Sequence, residues 1–260
     1  MSGEWTWRSD LATIGALIRR AGNELLRVPG AAIPGILAPT IFFLGLTAVF
    51  GNLTLLPGFD SSSYQSFIVP VSLMQAAAFT GAATGVNMAR DIEQGWFDRL
   101  LASPAPRPVL LAGLVLSASF RALLPAAFLL AIAFTVGAHW PGALGLAIAL
   151  LIVMGMAIVA ATWGASLALR FRTQSAAPLM QAGMLLGVLT TTAYAPLELL
   201  QGWLQEVARI NPLTQVLEAA RQGFVGSVTW AETWPGLVAL FGLAALFSLF
   251  ALRGMRRMTL

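Results

Sequence analysis

Fifteen basic side chains, eleven acidic ones and one histidine stand among 260 residues, so any chemistry depends on where these few groups fall. Cysteine is absent, and every basic residue is an arginine. Thiolate metal sites, cysteine nucleophiles, Schiff-base lysines and the phosphate-binding lysine of a P-loop are all excluded. His139 adjoins Trp140 and Pro141 and reads as a boundary anchor rather than a metal ligand, so no metal site is expected. No carboxylate pair or Ser-His-Asp set has a credible enclosure, so no catalytic residues are assigned.

What the charges can do is dock. The densest charged stretch is "ARDIEQGWFDRLLASPAPR", Ala89 to Arg107. Its core, 91–101, has helical spacing and is closed by Ser103-Pro104-Ala105-Pro106. Ile92, Trp96, Phe97, Leu100 and Leu101 form an apolar stripe, while Arg90, Asp91, Glu93, Asp98 and Arg99 are charged. Such a helix suits a groove on another protein. A solvated turn whose charges merely fix topology fits the composition equally well.

The rest of the chain must position that stretch, and it is oily. Hydrophobic residues make up 58% and charged ones 10%, where ordinary soluble domains carry about 25% charged residues. A crossing helix needs about 20 mainly apolar residues. That length predicts an all-α membrane protein, a single domain over 1–260, with six spans at 31–50, 66–89, 109–137, 143–169, 174–196 and 233–252. Arg121 then falls inside the third span. A charge there costs roughly 2.5 to 3.5 kcal/mol on insertion scales, so Arg121 either faces the bundle interior as a pathway residue or snorkels to the headgroups. Gly81 with Gly85, and Gly183 with Gly187, read as helix-packing pairs.

Charge sets the orientation. Arg8, Arg19, Arg20, Arg27, Arg90, Arg99, Arg107, Arg170, Arg172, Arg253, Arg256 and Arg257 all fall on one side of the six spans. Only Arg209 and Arg221 fall on the other, among Asp60, Glu198, Glu206, Glu218 and Glu232. The positive-inside rule makes the arginine side and both termini cytoplasmic, in an inner membrane. Scattered arginines of this kind are no nucleic-acid footprint.

Residues 5–28 lack a signal-peptide apolar core and instead show a helical stripe of Trp7, Leu11, Ile14, Ile18, Ala21, Leu25 and Val28. This predicts an amphipathic interfacial helix against membrane lipid, with Trp7, Arg19, Arg20 and Arg27 as its anchors. On the far side, 198–226 carries two short stripes separated by Asn211-Pro212, predicting an outer helical hairpin that re-enters the membrane, with a plain extracellular loop as the alternative.

"YQSFIVP", "ARDIEQGWFDRLLASPAPRPVLLAG" and "LQEVARINPLTQVLEAARQGFVG", in this order, resemble the permease subunits of type-2 ABC exporters, within them the drug-resistance branch typified by the daunorubicin exporter. Two departures are "VPVS" at Val69 to Ser72, where relatives often carry a glycine after the proline, and Trp96 in place of a threonine. The resemblance implies a permease paired with a second copy or a related permease and with cytosolic ABC ATPase subunits. It makes 91–101 the coupling helix, with Glu93 and Gly95 at the family's acidic and glycine positions. No cofactor is expected on this chain, with ATP and Mg on the ATPase. Hydrophobic drugs, secondary metabolites or lipids would be the exported compounds. A polysaccharide or lipid-linked glycan exporter is the alternative, and a non-transporting scaffold without an ATPase the second.

Overall fold

The computed structural model describes residues 7–27, 33–57, 59, 61 and 63–258. Residues 5, 6, 28, 31 and 32, at the edges of the expected interfacial helix and first span, lie outside them, as do Asp60 and the side chain of Leu25. All regular structure in the described residues is helical: α1 Trp7–Arg27, α2 Ile33–Phe50, α3 Tyr64–Glu93, α4 Trp96–Leu101, α5 Arg107–Thr135, α6 Gly142–Phe171, α7 Ala177–Leu189, α8 Trp203–Ile210, α9 Pro212–Val225 and α10 Trp230–Arg256. Five helices are long and apolar enough to cross a membrane: α2 with its following 3-10 turn, α3, α5, α6 and α10. The chain is a multi-pass membrane protein.

The packing is inside out relative to a soluble bundle. α3 is the buried axis, whereas α2 and α10 bury few of their residues and turn Ile41, Val49, Val238 and Phe241 outward. With lipid as solvent, association comes from close backbone packing rather than from hiding apolar surface. Gly81 and Gly85 supply it. A Cβ at Gly85 would lie 2.3 Å from the Gly164 carbonyl carbon, and one at Gly81 would lie 2.4 Å from the Ala157 carbonyl oxygen. These two turns of α3 therefore lie directly on α6. Gly183 instead makes room for a side chain, since a Cβ there would lie 2.9 Å from Cζ2 of the Trp163 ring.

The expected continuous span over 174–196 is not what forms. Its helix, α7, has 13 residues, about 20 Å at 1.5 Å per residue, short of the roughly 30 Å hydrocarbon core. Thr190, Thr191 and Thr192 follow it, and the backbone freed there is held by α9, with Asn211 on the Thr190 carbonyl and Arg221 on the Thr192 carbonyl. Thr191 and Thr192 bond the Val188 carbonyl and Glu218 respectively. The segment nevertheless joins both ends of α3. Gln174 bonds Glu93 at one end, and the Tyr64 hydroxyl donates to the Tyr194 carbonyl at the other.

Asn211 and Arg221 bind the freed backbone. Asn211 accepts from the Leu213 amide at 2.9 Å, capping α9, while its Nδ2 donates to the Gly187 and Thr190 carbonyls at 2.8 and 3.3 Å. One side chain thus caps α9 at its start and α7 at its end. Pro212 occupies the first helical position, where its missing N–H is not needed. Arg221, counted above as an outer surface charge, is 4% exposed. Its guanidinium donates to the Thr192 carbonyl (2.7 Å), the Phe67 carbonyl (3.2 Å) and Glu218 (2.7 Å), and lies 3.8 Å from the Phe67 ring centroid.

Two predictions follow from this packing. Gly85→Ala lowers stability by about 2 kcal/mol through overpacking against backbone, whereas Gly242→Ala, where a Cβ meets nothing, is neutral or stabilising by up to about 1 kcal/mol; denaturation of both variants in detergent checks the opposite signs. Arg221→Met costs about 3 kcal/mol because it strands bonded partners, while Glu218→Gln costs about 1 kcal/mol. Hydrogen exchange should then accelerate over 190–196 in Arg221→Met first.

Candidate functional site

The arginine-rich end of the bundle gathers α1, the last turn of α3, α4 and the turn before α7. The expected helix 91–101 is broken: α3 continues through Glu93, and α4 begins at Trp96. Asp91 and Glu93 therefore belong to α3, not to the short helix. Gly95 makes the break with φ +68, the left-handed region that glycine enters without strain. A Cβ there would meet nothing in this chain, so within the chain its backbone conformation accounts for the glycine.

Phe97 anchors α4, buried in one cluster with Leu17 of α1, Met88 and Ala89 of α3 and Leu110 of α5. With Phe97 fixed inward, Asp98 and Arg99 are exposed. Arg90 is exposed beside them. Arg20 of α1 reaches across: its guanidinium stands 3.7 Å from the Trp96 ring centroid, and its Nη2 is 3.4 Å from Asp91 Oδ2. Both Arg20 and Asp91 are partly exposed, so the pair contributes about 0.5 kcal/mol and the stacking a further 0.5 to 1 kcal/mol or so. Glu93 closes the other side. Its two oxygens accept from the Gln174 amide at 2.9 Å and from Gln174 Nε2 at 3.0 Å. These contacts tie α1, α3, α4 and the start of α7 into one unit.

The interfacial-helix residues divide. Trp7, Arg19 and Arg27 are exposed, and Leu11 with Trp7 leaves part of the apolar stripe uncovered. Arg20, expected among the anchors, is engaged with α4 instead. Leu17, outside the expected stripe, is a buried contact of α1, seated on Gly113 of α5, where a Cβ would lie 2.5 Å from its methyl carbon.

Arg121 faces inward. Its Nη2 donates to Thr84 Oγ1 of α3 at 2.7 Å and its Nε to the Ser117 carbonyl at 3.4 Å. It sits about 20 Å along α5 from that helix's start, at the wall of a cavity of about 250 Å³ shared with Thr84, Asn87, Asp91, Arg20 and Trp96. The cavity therefore connects an interior cation with the α1–α4 junction, and a guanidinium so placed can hold an anionic or hydrogen-bond-accepting group. His139 is taken up structurally, its Nδ1 lying 3.1 Å from Ser66 Oγ and its amide donating to that oxygen at 2.8 Å.

Sequence reasoning brought Arg90, Asp91, Glu93, Gly95, Trp96, Asp98 and Arg99 to one end of the fold, and it placed Asn211 and Pro212 in a hairpin far from them. It missed Gln174 as the partner of Glu93 and Arg221 as a buried group. The helical spacing of Arg221 with Leu217 and Phe224, three or four residues apart on one face of α9, was the available signal.

The chain is 27% identical over 242 residues to the daunorubicin resistance ABC transporter permease protein DrrB1 of Streptomyces coeruleorubidus, covering 90% of this chain and 82% of that one. It is 29% identical over 234 residues to ycf38 of Pyropia yezoensis, described as a transport permease, covering 86% and 78%. Against YbhR of Escherichia coli K12, described as a multidrug ABC transporter permease, it is 28% identical over 183 residues, covering 67% and 49%. The ABC-2 type transporter family matches residues 12–225, from α1 through the end of α9. With that match running through most of its length, this chain belongs to the ABC-2 type transporter family.

Proposed function

We propose that this chain is the membrane permease of an ATP-driven exporter, moving hydrophobic or amphiphilic compounds such as drugs, secondary metabolites or lipids out of the cytoplasm or the inner leaflet. The observation that carries this reading is the unit at the arginine-rich end. α4 is fixed by buried Phe97, presents Asp98 and Arg99 outward and is linked through Trp96 to Arg20 of α1, while α3, which α4 follows across Gly95, is tied through Glu93 to Gln174 in the turn before α7. A partner that grips the exposed charges moves the transmembrane helices with it. Nucleotide binding can shift the permease only through contacts that differ between its two states.

ATP and Mg belong to a separate ABC ATPase docked on this face. A second permease, identical or related, completes the pathway between protomers. The arginine-rich end is cytoplasmic by the positive-inside rule, as are both termini, and the membrane is the cytoplasmic one. α1 lies in the headgroup layer, which its exposed Trp7 and Leu11 support. α7 with the irregular 190–196 segment makes a sixth crossing, and the α8–α9 hairpin dips back into the outer leaflet with Asn211 and Pro212 at its tip. Non-helical backbone survives at that depth where protein satisfies it, as Asn211 and Arg221 do here. The two relatives whose names refer to daunorubicin resistance and multidrug transport support a greasy cargo. Arg121, at the wall of its cavity, is where a polar part of the cargo meets a cation.

Affinity purification of the full chain co-expressed with candidate ATPases is the test. The intact chain is expected to bring down stoichiometric ATPase, and Asp98→Arg to reduce recovery at least about tenfold. Glu93→Ala, which loosens the α3–α7 link without altering the exposed charges of α4, keeps the ATPase bound but lowers permease-stimulated ATP hydrolysis. Absence of any ATPase with the intact chain overturns the reading.

A further inference from the structure

Four arginines surround one groove at the arginine-rich end, away from α1 and α4. Arg170 and Arg172 come from the end of α6, and Arg253 and Arg257 from the end of α10. The groove holds about 500 Å³ and is continued toward the membrane interior by Leu167 and Phe250, about one helical turn from the arginines. Its floor is fixed by close helix contact, since a Cβ at Gly254 would lie 2.9 Å from Leu169 Cβ.

This cluster differs from the other arginines of the same end by convergence, since four guanidinium-bearing side chains line one groove. Among the described residues none of the four has a carboxylate within ion-pair distance, a property they share with Arg90 and Arg99. Arg172 also holds φ +57, the left-handed region that residues with a side chain rarely adopt. Its amide closes the end of α6 on the Ala168 carbonyl at 2.7 Å, and the turn leaves its side chain at the groove. Guanidinium groups bind phosphate oxygens in pairs of parallel hydrogen bonds. A basic layer bounded by an exposed aromatic ring on a lipid-facing helix matches an anion that carries acyl chains.

We propose that this groove binds the headgroup of an anionic phospholipid, with the phosphodiester among Arg170, Arg172, Arg253 and Arg257 and the acyl chains along Phe250 and Leu167. The site is distinct from the Arg121 cavity. It makes the stability of the α6–α10 pair depend on the charge of the surrounding leaflet.

The test uses the full chain in neutral detergent, with the thermal unfolding midpoint followed against short-chain phosphatidylglycerol, short-chain phosphatidylcholine and inorganic phosphate. Phosphatidylglycerol is expected to raise the midpoint saturably, and the other two to leave it unchanged. Each guanidinium removed weakens the response about fivefold, so Arg172→Gln with Arg253→Gln together weaken it about 25-fold. Arg253→Gln alone serves if the double variant does not fold, and Arg209→Gln, at the opposite end, keeps the full response. An equal response to phosphatidylcholine, an equal response to phosphate, or an unchanged response in the Arg253 variant overturns the proposal. So does loss of a co-purified ATPase on Arg253→Gln with the lipid response intact, which would give these arginines to the protein partner.

Discussion

Inside hydrocarbon no water can replace a missing backbone hydrogen bond, so a helix that stops partway through a bilayer must find its partners in protein. α7 stops at Leu189. Asn211 takes up its open carbonyls and Arg221 binds the carbonyl of Thr192 beyond them. In the proposed sixth crossing, the placement of α8 and α9 answers this need. Asn211 must sit at the end of α7 to cap it, and Arg221, nearly three turns further along α9, must reach both Thr192 and the carbonyl of Phe67. One short helix therefore binds the irregular segment to the buried axis of the bundle. Glu218 offsets the charge of Arg221 and is itself half exposed, so the desolvation penalty falls mainly on the arginine.

α3 joins that outer arrangement to the opposite end. Its first turns carry Phe67 and Tyr64 against Arg221 and Tyr194, and its last turn carries Asp91 and Glu93 against Arg20 and Gln174. Between them, Gly81 and Gly85 hold it against α6 at backbone contact distance. A packed interior is bistable rather than continuously deformable, so in the proposed transporter a displacement of α4 passes to α7 through α3 and the Glu93–Gln174 bonds.

Much of this was legible in the sequence. The five long spans, the arginine asymmetry and the Gly81–Gly85 contact follow from hydropathy, charge and residue size, whereas the sequence left Arg121 open between the bundle interior and the headgroups and its bond to Thr84 decides for the interior. The end of α7 did not follow from them, because Thr190, Thr191 and Thr192 lie in a window whose mean hydropathy is still that of a span. The freed backbone there is bound by Asn211 and Arg221, tertiary partners that such averaging does not see. Arg221 was misplaced for a related reason: assigning charges to loops treats α9 as surface, although a buried guanidinium can be fully bonded by tertiary neighbours. The helix break at Gly95 was hidden because the stripe of Ile92, Trp96 and Phe97 keeps helical spacing across it. Arg20 was read by its position on α1 alone, whereas Trp96, distant in sequence, fixes its orientation.

In the proposed transporter the partner's nucleotide state is sensed at α4 and reaches the α8–α9 hairpin. Because the chain has no native cysteine, spin labels at Asn23→Cys on α1 and Glu206→Cys on α8, both exposed positions, report the separation of the two ends without background. Distances measured by electron resonance on the complex with its ATPase, nucleotide-free and ATP-bound, should differ, and the permease alone should show no response to ATP. Identical distributions in the two states of the complex would contradict the claim.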